Sequence, residues 1–192
     1  MKESSQNRYS VLIVSSSEQF NMAAKKVLPE KKFDTIEIRK SASQARRELL
    51  MRDYDVVLIN APLQDGMGTD FVMDIVEKSS AGVIFAVPNE IYGNVNDHFI
   101  EYGVLTVPKP VKKDELERMI KLLTAMNDRL RKTQKKLRVL TEKMDELKVM
   151  SRAKLMLVEK GMTEAEAHEY ILREAMNRGL TKKQVAQDII DD

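Results

Sequence analysis

Apolar positions along the first hundred residues fall in short dense bursts, separated by longer stretches in which hydrophobic residues are spaced out. Tyr9-Ser-Val-Leu-Ile-Val14, Asp55-Val-Val-Leu-Ile59, Gly82-Val-Ile-Phe-Ala-Val87 and Val104-Leu-Thr-Val107 are compact β-rich runs, and Thr35-Ile-Glu-Ile38 alternates with period two. Continuous apolar runs of this length suit strands buried on both faces. Between them, Glu18 to about Leu28, Ser43 to Met51, Gly66 to Val76 (loop, then helix) and Asn89 to Tyr102 (helix with ragged ends) read as helical. Five strands alternating with helices predict a parallel sheet with right-handed crossovers, covered on both faces: an α/β fold of flavodoxin-like architecture.

The pattern changes after Pro110. From Val111 to Lys160 there is neither proline nor glycine, and Leu116, Leu123, Leu130, Leu137 and Met144 recur every seven residues. Ile120 opens the alternate row of a heptad seam, which then continues through the polar residues Asn127, Gln134 and Thr141. This reads as a weak two-stranded coiled coil in which a buried Asn fixes the register; the competing reading is a single helix packed on its own domains. The last segment is punctuated by helix signals. Gly161 and Gly179 follow helices, and Thr163-Glu-Ala-Glu166 and Thr181-Lys-Lys-Gln184 are capping boxes that open two more helices. Leu155, Met156, Ala165, Ile171, Leu172, Ala175, Met176, Val185, Ala186 and Ile189 are the predicted core of this three-helix module. The expected division is 1–112 for the α/β domain, 113–148 for the coiled-coil helix and 149–192 for the small helical domain.

Composition narrows the class. The absence of cysteine removes disulfides, zinc–cysteine sites and thiol catalysis, and fits a reducing cytoplasm. The polar stretch from Met1 to Ser10 does not read as a signal peptide, and no apolar run is long enough to span a membrane. The net charge of +2 hides an uneven distribution. Residues 112–160 hold 15 Lys and Arg against 8 Asp and Glu, whereas the flanking segments are net negative. A basic stripe on a helix is an electrostatic footprint for nucleic acid or an acidic partner, or simply a solvated coiled-coil surface. No metal-ligand cluster, nucleophile–base pair or phosphate-cradling glycine loop is present, so neither an enzyme nor a cofactor or metal is expected.

The strand order and Lys109-Pro110 after the fifth strand resemble response-regulator receiver domains over roughly residues 8–125. That family carries an acidic, magnesium-binding pair at the end of strand one, where this chain has Ser15 and Ser16. Its phosphoacceptor aspartate corresponds to Asn60, its hydroxyl residue at the end of strand four to Val87, and its aromatic switch to Thr106. Only the lysine, Lys109, is retained. An amide is a poor nucleophile, and two serines are weak ligands for a hard cation. The resemblance therefore implies a pseudo-receiver used for dimerisation or for binding a protein partner. Asp65, beside Gly66, reads as a turn residue in preference to an alternative phosphoacceptor.

The segments Met150-Ser-Arg-Ala-Lys-Leu-Met156, Gly161-Met-Thr-Glu-Ala-Glu-Ala167, Glu174-Ala-Met-Asn-Arg178 and Lys183-Gln-Val-Ala186 together resemble the ANTAR domain of RNA-binding transcription antitermination regulators. The resemblance implies a homodimer, joined by the coiled coil, that binds paired hairpins with small loops in messenger RNA leaders. Arg152, Lys154, Arg173, Arg178, Lys182 and Lys183 are the candidate RNA-binding residues. Tyr170 and His168 are weaker stacking candidates, and Met156 and Met176 read as core. A protein-interaction adaptor remains open, as does a helix-turn-helix-like DNA-binding transcription regulator built on the last two helices; the acidic run Asp188 to Asp192 speaks against DNA.

Overall fold

The computed structural model describes residues 8–192; the polar opening before Arg8 lies outside the described residues. The elements in order are β1 (Tyr9–Val14), α1 (Glu18–Lys26), β2 (Phe33–Arg39), α2 (Ala42–Met51), β3 (Val56–Asn60), α3 (Thr69–Lys78), β4 (Gly82–Val87), α4 (Tyr92–Phe99), β5 (Leu105–Pro108), α5 (Lys113–Glu159), α6 (Glu164–Arg178) and α7 (Lys182–Asp191). Short 3-10 turns at Asn89–Ile91 and Ile100–Tyr102 flank α4, so the ragged helix expected there is one regular helix with tightened ends. The chain divides into two compact units between Arg129 and Leu130, inside α5.

The first unit is a five-stranded sheet in the order β2-β1-β3-β4-β5, with every paired neighbour parallel. This is the doubly wound topology that the alternating bursts predict. One sheet face packs Leu12, Val14, Ile59, Phe85 and Val87 against Ala45, Phe71, Val72 and Phe99. The other packs Val11, Ile13, Leu58, Ile84 and Val107 against Ala24 of α1 and Leu116, Ile120 and Leu123 of α5. The first turns of α5 thus serve as the last covering helix of the sheet. Each of those three side chains contributes roughly 1.5–3 kcal/mol by leaving water. Gly82 makes room for them: a Cβ there would stand 2.9 Å from a methyl of Leu123.

This packing corrects the expected heptad. Leu116, Ile120 and Leu123 belong to the core of the first unit, and Asn127 donates from Nδ2 to the backbone oxygen of Asp55 at 2.8 Å. Asn127 anchors α5 to the start of β3 and is not a register-fixing residue of a seam. The exposed apolar row keeps Leu130, Leu137 and Met144 of the expected heptad, but the row that alternates with them is not the expected polar one. Met126, Leu130, Leu137, Leu140, Met144 and Leu147 are all large and exposed, with Thr133 filling the one polar step. Their spacing alternates four and three, the repeat of a coiled-coil seam.

In the second unit Gly161, with φ of +102°, ends α5, and Gly179, with φ of +62°, ends α6; both values favour glycine. The two expected capping boxes are formed, Thr163 with Glu166 and Thr181 with Gln184. The core consists of Met150, Ala153, Leu157, Ala167, Ile171, Ala175, Val185 and Ala186. Here too the expectation needs correction. Leu155 is 60% exposed and Met176 83% exposed, and Ala165 is also on the surface. The inward face of α5 runs through Met150, Ala153 and Leu157, one step off the row containing Leu155. No helix among the described residues is long and apolar enough to cross a membrane.

Candidate functional site

Two regions carry the residues singled out in the sequence, one in each unit. In the first, the carboxyl ends of β1 and β3 bring Ser15 and Asn60 together. Asn60 Nδ2 donates to Ser15 Oγ at 3.0 Å, and the same oxygen accepts the backbone N–H of Ser17 at 3.1 Å. Ser15 is fully buried, whereas Ser16 is exposed. Val87 and Thr106 are buried on β4 and β5. Asn60 Oδ1 and Thr106 Oγ1 are buried with no hydrogen-bond partner among the described residues. Leaving such atoms unpaired costs about 1–3 kcal/mol each.

Lys109 follows β5, its peptide bond to Pro110 cis. It lines an open hollow of mixed charge with Asn89, Pro110, Lys112, Asp114, Glu115 and Arg118. Burial holds its ammonium below the usual lysine range. No group of acidic or imidazole side chains able to hold a metal ion occurs among the described residues. A magnesium ion, which the receiver fold implies, does not fit this donor set. The Ser15 hydroxyl is already engaged by Asn60 and Ser17, and a hard cation prefers carboxylate oxygen to the hydroxyl and amide found here.

Asp65 turns out to be more than a turn residue. Its Oδ1 accepts the N–H of Ala42 at 2.8 Å, and its Oδ2 accepts the N–H and Oγ–H of Ser43 at 2.9 and 2.8 Å. These groups form the first turn of α2, where Ser41 also caps Gln44. Partial burial opposes the charge on Asp65, but the bonds from Ser43 and Ala42 outweigh it and hold the carboxyl below its ordinary value. The side chain thus ties the loop after β3 to the start of α2.

In the second unit the six candidate cations separate into two groups. Lys154 Nζ pairs with Glu164 Oε1 at 2.7 Å, and Arg178 pairs with Asp188 at 2.6 Å. The first pair joins α5 to α6 and the second joins α6 to α7. Glu164 is held below the usual carboxylate range by its bond from Lys154. Arg152, Arg173, Lys182 and Lys183 are exposed and form no ion pair among the described residues. Lys182 and Lys183 open α7, where the helix N-terminus also favours anions. Arg152 lies in the last turns of α5 and Arg173 in the middle of α6. A hollow lined by Ser151, Lys154, Leu155, Val158 and Glu164 lies beside the first ion pair. His168 is exposed, while Tyr170 is half-buried against the core. Pairing partners ten residues apart across a turn leave no periodic signal, so Glu164 could not be read from the sequence.

Comparison with known proteins gives a family for the second region and a fold for the first. Residues 138–190 match the ANTAR domain family. The match begins within α5 and runs through α7. The signal receiver domain of an HD domain-containing protein from Pseudomonas fluorescens Pf-5 is 20% identical, with a TM-score of 0.59 over 69% of this chain and 98% of that one. The non-phosphorylated HemR receiver domain from Leptospira biflexa is 23% identical, with a TM-score of 0.54 over 60% of this chain and 94% of that one. The chemotaxis response regulator CheY4 of Vibrio cholerae is 15% identical, with a TM-score of 0.53 over 61% and 99%. At these identities the likeness establishes the fold. No curated protein matches the chain.

Proposed function

We propose, for a chain that joins a domain of receiver fold to an ANTAR domain at residues 138–190, that it is an RNA-binding transcription antitermination regulator whose receiver domain is not phosphorylated. The observation that carries the reading is the ANTAR match across three helices that expose four uncompensated cations, Arg152, Arg173, Lys182 and Lys183. Phosphate contacts through such cations supply salt-dependent affinity, and sequence is read in loops where bases are unstacked. The ligand is a pair of small-looped hairpins in a messenger RNA leader. Binding stabilises the antiterminator at the expense of the terminator, which is a population shift between competing RNA folds. Lys154 and Arg178 already have carboxylate partners, so they are less available to phosphate than the other four cations.

The first unit supplies no phosphoryl chemistry in this reading. Asn60 offers an amide in place of a nucleophilic carboxylate, Ser15 is occupied, and Asp65 is engaged at the start of α2. The receiver domain serves as a dimerisation or protein-interaction module. Two copies pair through the exposed α5 seam and present two ANTAR domains to two hairpins, each tethered binding event raising the effective concentration for the other. The protein acts in the cytoplasm, as a regulator and not an enzyme.

The test is cross-linking of the full-length protein to cellular RNA, followed by sequencing. Leader regions with two closely spaced hairpins are expected, and Arg152→Ala weakens their binding more than Lys154→Ala does. A protein that retains no structured RNA at low salt is not an ANTAR-type antiterminator. Recovery of double-stranded DNA, or of protein alone, would establish the helix-turn-helix or adaptor reading instead.

A further inference from the structure

Leu130–Lys148 of α5 carries seven Lys and Arg against three Asp and Glu. On a helix of 3.6 residues per turn, Lys132, Lys136 and Lys143 fall within roughly 40° of arc, a ridge about 16 Å long. All three are exposed and none forms an ion pair among the described residues. The acidic Glu142 is engaged elsewhere, by Arg138 at 2.8 Å. The ridge runs beside the apolar row Leu130, Leu137, Leu140 and Met144.

Pairing two seams does not neutralise it. In a parallel, in-register pair, Lys136 faces the partner's Thr141 and Lys143 faces the partner's Lys148. In an antiparallel pair the row of Arg129, Lys136 and Lys143 would meet its own copy, cation against cation. Coiled coils commonly set opposite charges at these flanking positions. Here parallel closure meets less repulsion and still leaves the lysines uncompensated, one ridge on each flank of the dimer.

We infer that Lys132, Lys136 and Lys143 form a second RNA-contact surface, which grips the backbone phosphates of the hairpin stem bound by the adjoining ANTAR domain. This rests on the RNA-binding reading above and extends it to the coiled coil. Polyanionic RNA fits the ridge better than an acidic protein does. Lysine is depleted at the centres of protein interfaces, which keep an apolar core, and the ridge offers only Val139. Lys143 lies inside the segment that matches the ANTAR family, and the other two lie within one helical turn or two of its start. A stem contacts the ridge through its phosphates, so the ridge adds affinity without sequence selectivity.

The experiment changes Lys132, Lys136 and Lys143 together to Gln in the full chain and measures binding to a two-hairpin, small-looped RNA across a salt series. The dissociation constant at physiological salt is expected to rise roughly tenfold or more, and the slope of log affinity against log salt to become shallower by about two for each ridge, hence about four for the dimer on two hairpins, since each phosphate contact contributes about 0.7–0.9. Preference for the cognate loop over a scrambled loop stays unchanged, and the matching triple change to Arg restores both affinity and slope. An unchanged salt slope in the Gln variant overturns the ridge while leaving the antitermination function standing. Failure of the unmodified protein to bind the RNA at all overturns both. Polyglutamate competing as well as the RNA would assign the ridge to an acidic protein and overturn the inference equally.

Discussion

At the scale of single residues, Asn60 and Ser15, which the proposed reading sets at the phosphoryl-transfer positions of a receiver domain, are engaged with each other. Asn60 and Ser15 hydrogen-bond each other at 3.0 Å in a buried setting. Asp65, in the loop five residues beyond Asn60, clamps the first turn of α2 with three accepted hydrogen bonds. Asp65→Ala should destabilise the full chain by about 1 kcal/mol at neutral pH, the usual magnitude for a lost helix-terminus acceptor. Because the folded-state carboxyl titrates below its unfolded value, its contribution is complete above the ordinary carboxylate range and disappears as pH falls through the depressed value. Urea denaturation of both proteins at a series of pH values checks this: the curves should differ at pH 7 and converge in acid. A difference that persists in strong acid would show that the clamp does not depend on the charge.

At the scale of elements, α5 has two jobs encoded on two faces. Its first turns complete the sheet's second layer through Leu116, Ile120 and Leu123, with Asn127 fastened to Asp55. Beyond them the apolar row shifts to Met126, Leu130, Leu137, Leu140, Met144 and Leu147, all exposed. A row this regular and this apolar is unsuited to water, and a second copy of α5 covers it in the proposed dimer. Leu137→Glu combined with Leu140→Glu should convert a dimer into a monomer at micromolar concentration, as read by sedimentation equilibrium, and weaken two-hairpin binding through the lost tether. A variant that stays dimeric would move the interface to another surface.

At the scale of the molecule, the proposed function divides regulation between the two units. The first has the receiver fold, and in the proposed reading lacks its reactive groups; the second matches the ANTAR domain family and exposes four cations without an ion pair among the described residues. Incubation with acetyl phosphate and magnesium should therefore leave the intact mass unchanged and should not alter RNA affinity. A phosphorylated carboxylate found by mass spectrometry, at Asp65 or elsewhere, would return the receiver domain to the phosphorelay class. Control must then come through what the first unit binds or how the chain pairs, and both are readable as changes in the dimer equilibrium.

How much of this was legible in the sequence follows from the range of the interactions. Strand bursts, the parallel α/β order and both capping boxes depend on residues near each other in the chain, and all were readable from pattern alone. The faces of α5 were not. A leucine heptad beginning at Leu116 looks continuous on paper, and only the sheet, meeting α5 at Gly82 and Asp55, decides that its first members are core and that the exposed seam runs through Met126 and Leu140. The same holds for the cations: six were candidates in the sequence, Lys154 among the favoured, and Glu164 and Asp188, brought near by the folding of three helices, pair with two of them. Periodicity specifies which elements form, whereas burial and charge pairing depend on which elements meet, and that is settled by packing across long stretches of chain.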